Sequence, residues 1–122
     1  MRLLVRIFNE CFLDDEWNVF MTVPDNFGQN IQLNDIVDSR LLKSFAEFNG
    51  ECFYEALSEE SKEKFNEDVK KCSLKHELSK DKSILSVWSD WMDDFFFQVT
   101  GRKWCINRKQ KEIYLEIWLE DK

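Results

Sequence analysis

Apolar and polar positions alternate with a period of two from Arg2 to Phe8, where Leu3, Val5 and Ile7 oppose Leu4, Arg6 and Phe8. The same period returns from Trp17 to Val23, with Trp17, Val19, Met21 and Val23 set against Asn18, Phe20 and Thr22. This is the pattern of strands with one buried face. The acidic turn Asp14, Asp15 and Glu16 between them predicts an antiparallel hairpin, and Pro24 ends its second strand. At the far end of the chain, Ile113, Leu115, Ile117 and Leu119 alternate with Glu112, Tyr114, Glu116, Trp118 and Glu120, which with Lys103–Asn107 predicts a second hairpin. On the buried face a truncation such as Ile117→Ala is expected to cost about 2–5 kcal/mol. Glu116 falls on the opposite face, where truncation is expected to cost less than about 1 kcal/mol.

Between the hairpins the period lengthens. From Asn34 or Asp35, the positions Val37, Leu41, Phe45 and Phe48 form one helix face, stopped by Asn49 and Gly50. A short helical piece over Cys52–Leu57 follows, and Ser58 caps a charged helix with the stripe Phe65, Val69 and Cys72. Its carboxylates are read as a solvated flank, and Ser73–Lys82 either continues it or forms a loop. A further helix is expected from Ser83 to Thr100, ended by Gly101. The fold class that results is α+β: one domain over residues 1–122, with an antiparallel sheet of about four strands and three to four central helices packed on one of its faces.

The last of these helices carries the candidate site. Ile84, Leu85, Val87, Trp88, Trp91, Met92, Phe95, Phe96 and Val99 fill one broad arc of a helical projection, while Ser86, Ser89, Asp90, Asp93 and Asp94 fill the opposite arc. Phe97 lands among the carboxylates. Either its ring tucks under a neighbouring loop, or it is an exposed anchor on an acidic contact surface. On the second reading Asp90, Asp93, Asp94 and Phe97 form a partner-binding face.

Composition narrows the function. With 122 residues and 43% hydrophobic content, including eleven Phe and five Trp, the chain can bury one substantial core. The formal net charge is −7, yet Arg102, Lys103, Arg108, Lys109 and Lys111 place five cations between residues 102 and 111 with no acid, leaving −12 for the remainder. That balance disfavours direct nucleic-acid binding and favours a basic partner; the basic run is read as a soluble hairpin tip. No apolar run is long enough to cross a membrane or act as an export signal, so a cytoplasmic protein is expected. Cys11, Cys52, Cys72 and Cys105 lack CxxC spacing and are expected as free thiols.

Catalytic vocabulary is sparse. The only histidine, His76, lies one turn from Cys72, without a second ligand pair or an oxyanion hole, and the three glycines are isolated at 28, 50 and 101. Asp90 and Asp94 are spaced for a divalent cation but sit on a solvated face. No cofactor is expected. The segment Pro24-Asp25-Asn26-Phe27-Gly28-Gln29-Asn30-Ile31 resembles the turn that opens the inhibitory helix of the barstar family, intracellular inhibitors of secreted ribonucleases. The likeness spans these eight residues. The acidic positions of that family fall on Gln32 and Ile36 here, and no family is assigned.

The resulting expectation is a small acidic inhibitor, not an enzyme, that blocks a protein with a basic surface such as a nuclease. Toxin-immunity proteins and phage anti-defence inhibitors share this general profile. A small metal-dependent hydrolase using carboxylates and a structural or adaptor subunit are the alternatives.

Overall fold

The computed structural model describes residues 1–27 and 30–121; Gly28 and Gln29, part of the turn that resembles barstar, and Lys122 lie outside the described residues. Strand β1 (Arg2–Phe8) pairs antiparallel with β2 (Glu16–Thr22) in the register Arg2↔Thr22 to Phe8↔Glu16. A single 3-10 turn at Leu13–Asp15 joins them, with Asp14 and Asp15 at φ 57° and 62°. Aspartate tolerates this left-handed region better than most residues. After Pro24 no helix forms over Ile31–Asp35, so the barstar-like turn opens onto irregular chain.

Strand β3 (Ile36–Asp38) follows, then helices α1 (Ser39–Lys43), α2 (Gly50–Ala56), α3 (Glu59–His76) and α4 (Lys80–Asp93), and finally strands β4 (Phe96–Asn107) and β5 (Glu112–Asp121). A side-chain oxygen caps each helix start, at Ser58 where the sequence reading places it and elsewhere at other residues. Asp38, Asn49, Ser58 and Ser79 accept hydrogen bonds from the backbone N–H groups of Arg40, Cys52, Ser61 and Lys82. Val37 thus belongs to a strand, and α1 starts four to five residues later than the expected helix because Asp38, not Asn34 or Asp35, is the cap.

The sheet has five strands in the order β2-β1-β5-β4-β3. It is mixed, because β5 inserts beside β1 in parallel, with Leu3↔Leu115, Val5↔Ile117 and Ile7↔Leu119 in register. The two expected hairpins are present, but they join through a parallel seam, and β3 adds an edge strand that the helix-like spacing of residues 37–48 conceals. One face of the sheet carries Leu3, Val5, Ile7, Trp17, Val19, Met21, Val37, Phe97, Val99, Leu115, Ile117 and Leu119 into a core shared with Leu42, Phe53, Phe65, Val69, Val87, Trp88 and Met92 of the helices. Aromatic rings tie loops and helices to the sheet: Trp17 meets Phe48 at 5.0 Å, and Phe12 meets Phe53 at 5.7 Å.

The expected helix Ser83–Thr100 is two elements. α4 begins one turn earlier, at Lys80, and stops at Asp93; β4 takes over at Phe96. Three consecutive Phe satisfy both periods, since helical spacing links Met92, Phe95, Phe96 and Val99 while strand spacing links Phe97 to Val99. Pairing of Phe96 and Phe97 with β3 and of Phe97 with β5 resolves the tie toward the strand. Phe97 is therefore fully buried, at 0% exposure, stacked 5.4 Å from Phe95, and its expected role as an exposed anchor is overturned. Phe96, which points the other way, is 64% exposed.

No helix of the described residues covers the second face of the sheet with side chains from the core; it is organised by charge. Glu116 sits there at 4% exposure, accepting hydrogen bonds from Arg6 Nη1 and Trp118 Nε1, each at 2.8 Å, and from Cys105 Sγ at 3.3 Å, with Lys103 Nζ 3.6 Å away. The expectation of a solvated Glu116 is thus corrected: its neighbours close over it. Gly101 makes this possible, because a Cβ there would lie 2.6 Å from the Trp118 ring. The absent side chain lets the indole lie on β4 where the strand bulges between Val99 and Gly101. Burial opposes ionisation of Glu116, but the hydrogen bonds from Arg6, Trp118 and Cys105 and the charge of Lys103 outweigh it and hold the carboxyl at about 2.

Two outcomes follow from this packing. Phe97→Ala should lower unfolding free energy by about 3–5 kcal/mol in urea titration, while Phe96→Ala should change it by less than about 0.5 kcal/mol. Because the Glu116 carboxyl is lower in the folded chain than its ordinary 4.5, its contribution is complete above pH 4.5 and is lost as pH falls toward about 2. The loss is on the order of 3 kcal/mol, and Glu116→Gln should flatten that part of the stability profile measured by pH-dependent denaturation.

Candidate functional site

The junction of α4 with β4 turns within two residues, Asp94 and Phe95, whose N–H groups bond back to Trp91 and Met92. The Phe96 N–H then donates to Asp121 Oδ1 at 3.3 Å, starting the strand. Phe96 stands opposite Asp38 of β3, beside Ile36, which is 51% exposed. Ile36, Asp38, Ser39, Arg40, Asp93, Phe95 and Phe96 together line a cleft of about 390 Å³. A second hollow of about 530 Å³ adjoins it across Ile36 and Asp38 and includes Phe27 and Leu41. Apolar surface that could have been buried is thus displayed at one corner of the sheet.

Carboxylates frame this corner in two states. Asp93 accepts a hydrogen bond from Lys43 Nζ at 2.6 Å, and the same ammonium reaches Ser89 Oγ at 3.1 Å. Asp38 takes a forked contact from Arg40, with Nη2 at 2.7 Å and Nε at 3.1 and 3.2 Å. Those hydrogen bonds, with one from the Arg40 backbone N–H, hold the Asp38 carboxyl down at about 2. Asp90 and Asp94 are exposed and have no cation partner among the described residues. The corner thus combines an exposed aromatic ring, compensated charge at Asp38 and Asp93, and the uncompensated Asp94 beside it.

Of the residues expected to act together, Asp93 lines the cleft and Asp94 is exposed on the turn that follows it. Asp90 opens instead onto the groove between α3 and α4, with Asp68, Lys71, Cys72 and His76. Phe97 lies beneath, in the core. Phe96, Ile36 and Asp38 complete the corner and are missed by a helical projection; the signals that find them are the alternation of Phe96 with Phe97 and Val99 at the start of β4 and of Ile36 and Asp38 about Val37 in β3.

Chemistry beyond binding finds few participants. Among the described residues, no group of three or more His, Cys, Asp or Glu side chains gathers to hold a metal ion, and no helix is long and apolar enough to cross a membrane. The four cysteines are unpaired, and burial pushes the Cys11 thiol up to about 12, far from a reactive thiolate at neutral pH. No protein-family model, no curated protein and no solved structure matches this chain.

Proposed function

We propose that this chain is a small acidic binding protein that occludes a basic surface on another protein, such as the phosphate-binding groove of a nuclease, in the manner of an immunity protein or an anti-defence inhibitor. The observation that carries the reading is the exposed Phe96 with Ile36, set among Asp38, Asp93, Asp94 and Asp121. A groove built for phosphates is cationic, so acidic residues around the anchor steer encounter and exclude the nucleic acid. Burial of Phe96 in a pocket of the partner then slows dissociation. The compensated pairs Asp93–Lys43 and Asp38–Arg40 shape the cleft, whereas the exposed Asp94 supplies charge that a partner can claim.

The test screens nucleases with cationic phosphate grooves, a gene neighbour's product first where one is a nuclease, with association and dissociation rates followed over a series of salt concentrations. Asp94→Lys should slow association and flatten its salt dependence with little change in melting temperature. Phe96→Ala should raise the dissociation rate at a cost on the order of 2 kcal/mol, again without loss of stability. Full inhibition by the doubly substituted chain would rule out the corner as the interface.

A further inference from the structure

The β4–β5 hairpin extends past the rest of the sheet. β3 pairs with β4 only at Phe96, Phe97 and Gln98, and the irregular segment before β3 closes the next position, where Val99 exchanges backbone bonds with Asn34 and Asp35 at 2.9 and 3.0 Å. Farther along, β5 continues to pair with β4 as far as Asn107↔Glu112, while no strand among the described residues lies on the other side of β4. The N–H and C=O of Val99 face away from β5. The bulge inserts one residue and shifts the alternation, so beyond it the outward backbone groups belong to Trp104 and Ile106.

The side chains around this open edge are unusual for a guarded one. Trp104, Ile106 and the cross-strand Ile113 are 52%, 60% and 62% exposed. Lys103, Lys109 and Lys111 flank them, also exposed. Lysines alone suffice to keep an edge from pairing with its own kind. An exposed indole and two isoleucines serve no such purpose.

We propose that this edge is a docking site for an acidic, extended segment of a partner protein, which adds to the sheet as a strand beside β4. Charge complementarity selects that occupant. Two copies of this edge would bring the same cations face to face, which disfavours self-pairing. A single-stranded nucleic acid would meet one exposed indole instead of a series of stacking rings, and it could not match the alternating N–H and C=O groups of Trp104 and Ile106. The pleat also sets the sequence pattern of the segment. Its apolar residues lie on the side of Trp104 and Ile106, and its acidic residues alternate with them on the side of Lys103. This surface is distinct from the acidic corner at Phe96 and does not depend on the function proposed for it.

The probe is a synthetic peptide alternating Glu and Val over about nine residues, added to the full isotope-labelled chain and followed by amide chemical shift and hydrogen exchange. Binding is expected with exchange at the Trp104 and Ile106 amides slowed at least about tenfold, and with affinity falling as salt rises. Ile106→Pro removes an N–H that β5 does not use, so the chain should stay folded by circular dichroism and lose peptide affinity at least about tenfold. Trp104→Ala provides a second variant that leaves the ladder intact and should weaken binding by a similar factor. Equal binding of an alternating Lys and Val peptide, or unchanged exchange at both amides, overturns the proposal. So does tighter binding of oligothymidylate at the same residues, or a dimer of the free chain in which these amides are already protected.

Discussion

The parallel pairing of β1 with β5 is the contact on which the other parts depend. Each hairpin is local, and a two-stranded hairpin alone is marginal in water. The seam joins them: Leu3, Val5 and Ile7 meet Leu115, Ile117 and Leu119, none more than 2% exposed, on the side of the helices. On the other side Arg6 of β1 bonds Glu116 of β5 and also Glu16 of β2, so one guanidinium spans three strands. The arrangement resists loss of either partner, because removing Arg6 would leave a buried carboxylate with fewer donors, and such uncompensated charge is costly. It also sets the folding problem. A pairing between residues about a hundred positions apart must close before either hairpin gains a central neighbour, which favours slow folding.

The C-terminal end of α4 is fixed by three contacts, two to neighbouring helices and one to the sheet. Trp91 donates its indole N–H to Asp68 of α3 at 2.8 Å, Lys43 of α1 reaches Asp93, and Phe95 stacks over Phe97 as the strand begins. With α4 fixed, the passage from Asp93 to Phe96 has no slack, and the side-chain direction reverses between adjacent aromatics. Phe95 and Phe97 turn inward, and Phe96 is turned out because strand geometry permits nothing else. The exposure of Phe96 is thus a consequence of packing its neighbours.

How much of this was legible in the sequence depends on whether a feature is local. The N-terminal hairpin and the alternation of the last strand follow from period two, and the Ser58 cap of α3 follows from hydroxyl chemistry ahead of a helical stripe. The α+β class and the segregation of helices to one face follow in turn. The parallel seam does not, because Leu3 and Leu115 carry no mark of each other. The boundary inside residues 83–100 was misread for a different reason: Phe95, Phe96 and Phe97 fit a helix and a strand equally, and the deciding facts are the bulge at Gly101 and the pairing of Phe97 with Asp121. Glu116 reads as solvated from its place in the alternation, and only Gly101, which admits Trp118 as a lid, explains why it is not.

The distribution of charge takes its meaning from the length of β4. Phe96, among carboxylates, and Trp104, among lysines, stand eight positions apart on one strand, about 25 Å at the rise of an extended chain. At physiological ionic strength fields decay over about 8 Å, so neither end is felt at the other. The net charge of −7 therefore describes no surface that a partner would meet. An approaching molecule samples either an acidic corner around Phe96 or a basic edge around Trp104, and the length of β4 between them separates the two proposed interfaces.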